Sequence, residues 1–533
     1  MQEKSAAAKP KKRIPLSNVA LLLMVAMFIG QLLGFLRTNL VSKNFSALGP
    51  HSTDAYFAAF TIPDFFFYTI AAGALGVAFI PVLNDRLQKG DRKGMWELCA
   101  SLLNLLSIIM GAVALIIFIF AEPLLQQVTG HRMTPVQLHT AVVIMRFLAL
   151  NPLLFTVSGI LTSVQQTMGR FFFFAIAPLF YNLSIIGSIY IFKGTSFGLK
   201  GLGLGALVGA LLQLAVVCLG LIDTRFTWRP KIVWRSGDLR TVLKQLPPRS
   251  LDQGMDQVQT LVETNFARRL GEGIISYYNY AYVLQTAPTL LIGTAISTAV
   301  FPRLSARLSQ GRPDLFRRDF LRTLRLMIWL TLPVVIICYF SRGYLARLIF
   351  SKGSSTIAII FGFLTVAIFF RTMYAIMSRW YYAQKDTRTP LIVSVFTVTL
   401  NILLTAILAR KSSYGPAGLA MSTSLASMAE VLILGSIMVL RDRGILNMQF
   451  WGGVFRIVSV SGFSMVAGYL AVSSFPLGLH DHGLGLGIKL GSIATVTFAV
   501  HICISGLFGL EEARPIFTTL KRIVLRPVRN PYL

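Results

Sequence analysis

The strongest constraint in this sequence is a succession of apolar runs, each about 20 residues long and separated from the next by a short polar loop. A helix of that length crosses the hydrocarbon core of a bilayer, and a soluble fold could not bury so many of them. Of all residues, 54% are hydrophobic and only 13% are charged, whereas soluble domains carry about 25% charged residues. The sequence therefore predicts an all-α polytopic membrane protein and argues against a soluble enzyme, a disordered chain or a disulfide scaffold.

About fourteen transmembrane helices are predicted. Their centres lie near residues 26, 70, 109, 151, 182, 211, 258, 288, 332, 367, 400, 428, 462 and 498. The seventh segment, at about 246–270, is the least hydrophobic, and the second and eighth are long enough to tilt or to extend beyond the bilayer. The first segment begins at Leu16 after a basic tail and lacks a cleavage site of small residues, so we interpret it as a retained helix rather than a signal peptide.

The charges of the loops orient these segments. Of the 50 Lys and Arg residues, 34 lie on the side of the N-terminus, 13 on the opposite side and 3 inside segments. Because loops rich in Lys and Arg stay in the cytoplasm, both termini are predicted to be cytoplasmic. The net charge of +29 then comes mainly from loops on the cytoplasmic side, where it favours contact with membrane phospholipids. No nucleic-acid partner is expected.

An internal repeat relates two parts of the chain at an offset of 221 residues. The identical pairs are Tyr56/Tyr277, Ala74/Ala295, Ala78/Ala299, Pro81/Pro302, Leu83/Leu304, Arg86/Arg307, Leu87/Leu308 and Gly90/Gly311. Six segments separate the copies, and because this number is even, the two copies have the same orientation. This arrangement predicts two six-helix lobes related by a pseudo-two-fold axis along the membrane normal, which is a transporter architecture with the substrate site between the lobes.

The repeat sets the predicted domain organisation. We expect a basic cytoplasmic tail (1–15), an N-lobe with the first six helices (16–222), a cytoplasmic linker (223–245), a C-lobe with helices seven to twelve (246–440), two further helices within 451–510, and a basic tail (511–533).

Small residues in the apolar runs are interpreted as packing residues. Gly201, Gly205 and Gly209 form a stripe of the kind that lets two membrane helices approach closely. The four cysteines are predicted to be small core residues without metal-ligand spacing: Cys99, Cys218, Cys338 and Cys503. No nucleotide-binding, hydrolase, kinase or metalloprotease motif is present, so we expect neither an enzyme nor a metal site nor a bound cofactor.

Several ionisable residues lie at membrane depth, where each costs about 2.5–3.5 kcal/mol on insertion scales unless it faces protein or water. Arg37 and Asp54 lie at one end of the first and second segments, and Asp64 follows a proline within the second. Arg146 and Arg371 lie inside the fourth and tenth segments. We predict that these five residues line a central cavity and bind substrate. The alternative for Arg37 and Asp54 is an interfacial position.

The seventh segment carries Asp252, Asp256 and Glu263 at steps of four and seven residues, which places all three acids on one helix face. A helix facing lipid could not carry this charge, so the face is expected to look into an aqueous cavity. Glu263 and Asp256 are predicted to couple transport to Na⁺ or H⁺. The alternative for Glu263 is a buried ion pair with Arg146 or Arg371.

Several stretches resemble the MurJ (MviN) family of lipid II flippases in the MOP exporter superfamily. They are Gly34–Arg37, Thr53–Phe60 with Pro63, Gly73-Ala74, Ala78–Leu83, Phe301–Ser305 and Tyr381–Pro390. Their order and spacing fit the family over nearly the whole chain.

This resemblance implies a flippase that moves the undecaprenyl-diphosphate-linked peptidoglycan precursor, lipid II, from the cytoplasmic to the external leaflet of a bacterial inner membrane by alternating access. It implies that the two C-terminal helices form a groove for the lipid tail. It also makes proteins of cell-wall synthesis expected partners. A cationic cavity is consistent with a diphosphate head group, which cannot cross hydrocarbon unaided.

The chain departs from the family at most of the cavity charges that the resemblance implies. The family's charges at the end of helix one and the start of helix two map onto Arg37 and Asp54. Its other cavity arginines fall on Gln31, Tyr68 and Val283, and an acidic position falls on Thr286. Arg146, Arg371 and the pair Arg268/Arg269 are the available replacements.

Two alternatives to the lipid II flippase belong to other functional classes. One is another exporter of the superfamily, either a polysaccharide-unit flippase or a drug/cation antiporter. An exporter of small molecules would not need the two C-terminal helices. The other is a non-transporting membrane scaffold of cell-wall synthesis, which the missing arginines would permit.

Overall fold

A computed structural model describes residues 16–72, 79–224, 226–234, 237–350, 353–478, 481 and 483–514. The side chain of Asp252, the tail 1–15 and residues 515–533 of the second tail lie outside this description. The helices are α1 (Leu16–Asn44), α2 (Thr53–Phe66), α3 (Ile80–Gln88), α4 (Arg92–Ile119), α5 (Ala121–Thr129), α6 (Pro135–Leu148), α7 (Asn151–Thr167), α8 (Phe172–Phe192), α9 (Lys200–Leu219), α10 (Gly237–Leu270), α11 (Ile274–Pro288), α12 (Ala295–Ser309), α13 (Pro313–Phe340), α14 (Arg342–Ile349), α15 (Ser354–Ala383), α16 (Arg388–Leu408), α17 (Pro416–Arg441), α18 (Met448–Ser474) and α19 (Gly483–Leu507).

Long apolar helices account for most of the chain. Within the described residues, twelve helices are long and apolar enough to cross a membrane, and no strand is present. Two of the fourteen predicted segments are not among these twelve helices. They are the second segment, which contains α2 and α3, and the seventh, which is α10. The prediction of an all-α polytopic membrane fold is confirmed.

Two short π-helical segments occur at related places. Phe67–Ala72 continues α2, which contains Pro63, and Thr289–Thr294 continues α11, which ends at Pro288. Proline lacks the N–H that an α-helix needs and crowds the preceding turn, so a change of winding nearby relieves the helix. Each of the two prolines is therefore followed by a change of helix type.

The internal repeat is visible in the helix bounds. α4 and α13 each contain 28 residues, and both their first and their last residues are separated by the offset found in the sequence. The turns before them are also alike, because Gly90 and Gly311 have φ angles of +75° and +68°. In this left-handed region glycine has no steric penalty. The two copies thus share helix length and turn chemistry.

The described residues form two compact units, and the first lies within residues 1–38, 66–119 and 143–250. Its core includes the fully buried Phe79, Leu83 and Met95. The glycine stripe of α9 packs on α8, where an added Cβ at Gly205 would collide with the side chain of Ser188. The packing role predicted for the stripe is confirmed.

The second unit lies within residues 39–65, 120–142 and 251–533. Its core includes Leu304, Phe320 and Tyr381. These contact units are not the sequence-predicted lobes, whose bounds stay a prediction. Of the cysteines, Cys99 and Cys338 are buried as expected, but the prediction is wrong for the other two, which are exposed on their helices: Cys218 and Cys503.

A buried polar chain fixes α18 and α19 to α13 within the second unit. His501 on α19 contacts Ser464 Oγ on α18 at 2.9 Å and the carbonyl oxygen of Trp329 on α13 at 3.1 Å. The Trp329 indole N–H donates to Ser505 Oγ on α19 at 2.9 Å. Because buried polar groups are costly without partners, this arrangement specifies how the two C-terminal helices dock.

Candidate functional site

Asp54, in the first turn of α2, is completely buried and accepts four hydrogen bonds. Its Oδ1 accepts from the backbone N–H and the hydroxyl of Ser276 at 2.9 and 2.7 Å. Its Oδ2 accepts from the N–H of Gly273 at 2.7 Å and from Arg268 Nη1 at 3.3 Å. Gly273 is the N-cap of α11, with φ +81°. The carboxylate therefore occupies the helix N-terminus, where free N–H groups favour an anion.

Arg268, near the end of α10, is the buried partner of Asp54. Only 5% of its side chain and none of that of Asp54 is exposed. The remaining guanidinium donors reach the carbonyl oxygen of Arg132 at 2.9 and 3.1 Å and Gln137 Oε1 at 2.7 Å. Two charges are tolerated in such a buried place because their other donors and acceptors are satisfied as well.

Further hydrogen bonds extend this cluster. Gln137, at the start of α6, donates to the carbonyl oxygen of Gly49 at 2.9 Å and also to Glu272. Glu272 in turn accepts from the N–H of Gly49 at 2.9 Å. Thr53 Oγ1 donates to Ser276 Oγ at 2.8 Å. The cluster, which we call the Asp54 network, joins α2, α6, α10 and α11 and the loop before α2.

Glu263, five residues before Arg268 on α10, forms a second buried polar cluster. It accepts from Gln259 Nε2 at 2.8 Å and from the hydroxyl of Thr423 on α17 at 3.1 Å. The Tyr278 hydroxyl lies 3.1 Å from the same Thr423 hydroxyl. Glu263 is 6% exposed, so its side chain is buried among protein groups, and the aqueous cavity expected along this face of α10 stays a prediction.

The polar surroundings of Glu263 continue between α16 and α17. Asn401 Nδ2 lies 3.5 Å from Thr423 Oγ1, and the hydroxyls of Thr405 and Ser422 are 2.7 Å apart. Carboxylate, hydroxyl and amide oxygens of this kind are ligands for hard cations such as Na⁺, and a buried carboxylate can alternatively take up a proton. We call this group the Glu263 cluster.

Arg371 on α15 balances the acids near the Glu263 cluster. It interacts electrostatically with Asp256, Glu430 and Glu263, and its guanidinium lies 5.9 Å from the ring centroid of Tyr282. Its Nε has no hydrogen-bond partner among the residues described. Two arginines were considered as ion-pair partners of Glu263, and Arg371 is the one that interacts with its carboxylate electrostatically. Asp256, the other predicted coupling residue, is exposed on α10.

The other predicted substrate residues have different surroundings. Arg146 donates from Nε to the carbonyl oxygen of Phe118 at 3.3 Å and lies 5.6 Å from the Phe118 ring centroid. It thus caps the C-terminal end of α4, where a cation is favourable. Arg37 on α1 and Asp64 on α2 are half-buried. Their binding of substrate stays a prediction, as does that of Asp54, Arg146 and Arg371.

Sequence reasoning singled out Asp54 but missed most of its partners. Arg268 appeared only as one of several replacements for missing arginines, and Gln137, Gly273 and Ser276 were not considered. The signal available was the pair of glycines just before α11, Gly271 and Gly273, both with positive φ. Such glycines mark a tight turn with exposed N–H groups, which is a place for a carboxylate.

The stretch Tyr381–Pro390 forms the turn between α15 and α16. Asp386 accepts from the N–H groups of Arg388 and Thr389 at 3.0 Å and from the Thr389 hydroxyl at 2.6 Å. Arg441 at the end of α17 donates to the same carboxylate. Partial burial raises the pKa of Asp386, but these hydrogen bonds outweigh it and lower the pKa to about 2. The matched stretch is therefore a capped, charge-stabilised turn.

Apolar helices long enough to cross a membrane, a duplicated helix pattern and two buried charged clusters together define a polytopic helical membrane protein of the repeat-built transporter type. The chain belongs to the family described as "Lipid II flippase MurJ", whose model matches residues 46–513.

Curated relatives agree with this assignment. The chain is 25% identical over 443 residues to a "Probable lipid II flippase MurJ" of Buchnera aphidicola subsp. Acyrthosiphon pisum, covering 82% of this chain and 85% of the relative. It is 24% identical over 477 residues to a protein of the same description from Bdellovibrio bacteriovorus, covering 86% and 89%.

Solved structures show the same fold. The structure "Lipid II flippase MurJ, inward closed conformation" matches with a TM-score of 0.75 at 23% identity, covering 92% of this chain and 98% of that one. An inward-facing multidrug resistance MATE family transporter of the MOP superfamily matches with a TM-score of 0.66 at 16% identity, covering 79% and 98%. At these identities the likeness concerns the fold alone.

Proposed function

We propose that this protein is a lipid II flippase that moves the lipid-linked cell-wall precursor from the cytoplasmic to the external leaflet by alternating access, without catalysing a covalent step. The observation that carries the proposal is the family match over residues 46–513, which includes both buried clusters and the two C-terminal helices. The expected location is the bacterial inner membrane, with both termini in the cytoplasm. Membrane phospholipids and proteins of cell-wall synthesis are the expected partners.

The Asp54 network fits a gate that opens and closes during transport. It ties the start of α2 to the end of α10 and the start of α11 through one carboxylate and one guanidinium. Opening this end separates those helices and frees Arg268. A freed arginine can bind a diphosphate through paired N–H donors, which would replace a cationic group at the positions occupied by Gln31, Tyr68 and Val283.

The Glu263 cluster fits the coupling site. The cluster places one carboxylate among hydroxyl and amide groups of α10, α16 and α17. Binding of Na⁺ or H⁺ there neutralises the carboxylate and weakens its electrostatic attraction to Arg371. Because α10 carries both Glu263 and Arg268, a movement of α10 at one cluster is transmitted to the other. Asp256 on the same helix is the second acid of this proposed pathway.

The decisive experiment is complementation of a bacterium depleted of its own lipid II flippase. The wild-type chain is expected to restore growth and normal cell shape, and Arg240→Gln, an exposed arginine on α10, serves as the control that should behave like wild type. No rescue despite normal amounts in the membrane contradicts the proposal. Rescue by the double variant Arg37→Ala/Asp54→Ala would instead favour a scaffold.

Ion coupling is tested at Glu263. In proteoliposomes, Glu263→Gln is expected to abolish the dependence of lipid II movement on a Na⁺ or H⁺ gradient, because the neutral amide can neither release a proton nor neutralise a cation. Glu122→Gln is the matched control, since Glu122 lies in the first turn of α5 and is exposed. An unchanged gradient dependence in Glu263→Gln would place the coupling ion elsewhere.

A further inference from the structure

A large polar pocket lies at the basic end of α13, within the second unit. Its volume is about 1090 Å³, and its walls come from the first half of α13, the loop between α17 and α18, the start of α18 and the residues after α19. By the distribution of Lys and Arg, this end of α13 is predicted to face the cytoplasm. The pocket uses neither the Asp54 network nor the Glu263 cluster.

The lining of this pocket is strongly cationic. Five arginines and three carboxylates line it. Arg318, Arg322 and Arg325 are spaced by four and three residues on α13, so their side chains lie on one face. Among the residues that the structure describes, Arg318 and Arg322 make no ion pair, and both are exposed. Their guanidinium groups are therefore available to an anion.

The floor of the pocket is built and fixed. Arg325 pairs with Glu512 at 2.7 Å, with side-chain exposures of 19% and 5%. An added Cβ at Gly453 on α18 would lie 2.6 Å from Arg325 Cζ, so the absence of a side chain there lets the guanidinium lie against α18. Glu512 Oε2 is buried and has no hydrogen-bond donor among the described residues. Arg325 and Glu512 thus form a closed floor beneath the exposed arginines of the wall.

One side of the pocket continues into an apolar surface. Phe450 at the start of α18 belongs to the lining. Met448, Trp451 and Phe455 follow the same end of α18 at intervals of three and four residues, and they are 87%, 53% and 74% exposed. Exposed apolar and indole side chains at the end of a membrane helix are typical of the lipid interface. A ligand here meets arginine on one side and acyl-chain surroundings on the other.

We propose that this pocket binds the head group of an anionic phospholipid, with its phosphate on Arg318 and Arg322 and its acyl chains along Met448, Trp451 and Phe455. Arginine binds phosphate through paired N–H donors, and basic pockets between membrane helices on the cytoplasmic side suit anionic head groups. Phosphatidylglycerol, a phospholipid with one negative charge, is the probe for this class of head group. This proposal does not rest on the proposed flippase activity.

The experiment uses the full-length protein, purified and delipidated, with lipid binding followed by native mass spectrometry. Wild type is expected to bind one phosphatidylglycerol in preference to phosphatidylcholine. Arg318→Gln/Arg322→Gln should weaken phosphatidylglycerol by about 10-fold or more, since each arginine near a lipid phosphate contributes roughly 1 kcal/mol. Arg240→Gln/Arg443→Gln removes two exposed arginines from the same predicted side without touching the lining and should bind like wild type.

Three results would overturn the proposal. One is equal phosphatidylglycerol binding by wild type and the Arg318/Arg322 variant. Another is equal weakening in the Arg240/Arg443 control, which would reduce the effect to general surface charge. The third is displacement of phosphatidylglycerol by inorganic pyrophosphate at equal concentration, which would assign the pocket to a soluble phosphate compound.

Discussion

At the scale of single residues, the buried charges explain why sequence reasoning finds one half of a pair and not the other. Asp54 is conspicuous because it lies beside an apolar run, and its cost there requires a partner. Arg268 lies 214 residues away, in a helix whose most conspicuous charged residues are its acids. A contact over that separation depends on how several helices pack, and that information is not contained in any local pattern.

The Asp54–Arg268 pair gives the first prediction at this scale. Asp54→Asn leaves Arg268 buried without its counter-charge, and we expect a loss of about 3–5 kcal/mol in the free energy of unfolding. The double variant Asp54→Asn/Arg268→Gln should recover part of this loss, because both charges are then removed. Unfolding in a denaturing detergent, followed by circular dichroism, measures both.

Lys89→Gln is the control for this experiment. Lys89 lies 3.9 Å from Asp85, and both side chains are 73% exposed, so breaking this pair should leave the unfolding midpoint unchanged. If the single variant at Asp54 and the double variant are equally destabilised, the effect comes from lost packing and not from an uncompensated charge.

At the scale of helices, the sequence predicts most of what the structure shows. Helix length and apolar composition suffice to find twelve of the fourteen segments. The two that fail the hydropathy test carry polar features: α2 changes its winding after Pro63, and α10 carries one charged residue of each cluster, Glu263 and Arg268. Polar residues lower the mean hydropathy of a helix that lines a polar site. Hydropathy is therefore least able to identify the helices that carry such sites.

The contact between α8 and α9 allows a prediction about helix packing. A methyl group added at Gly205 would collide with Ser188 on α8, so we expect Gly205→Ala to reduce the free energy of unfolding by about 1–3 kcal/mol. Gly187→Ala on α8 is the matched control, because nothing lies within 4 Å of an added Cβ there. Equal midpoints for the two variants in detergent unfolding would show that α8 and α9 can separate without loss.

At the scale of the whole molecule, the internal repeat and the charges of the loops predict one and the same topology. The recurrence of helix lengths and turn glycines supports a duplicated helix series, and the two six-helix lobes inferred from the repeat stay a prediction. α10 is not among the twelve apolar helices because it carries many charged residues. Its 34 residues would extend about 50 Å as a helix, which is enough to cross a bilayer.

Reporter fusions decide whether α10 crosses the membrane. With fourteen crossings, the C-terminus is cytoplasmic and the turn between α16 and α17, near Lys411, is external. We therefore expect a fluorescent protein fused after Leu533 to fold and fluoresce, and alkaline phosphatase inserted after Lys411 to be active. If α10 does not cross, every later loop changes sides, and both reporters give the opposite result. The basic loops before α13 and α16 would then be external, against the positive-inside rule, so the fluorescence of the C-terminal fusion also tests whether the charge asymmetry governs this chain.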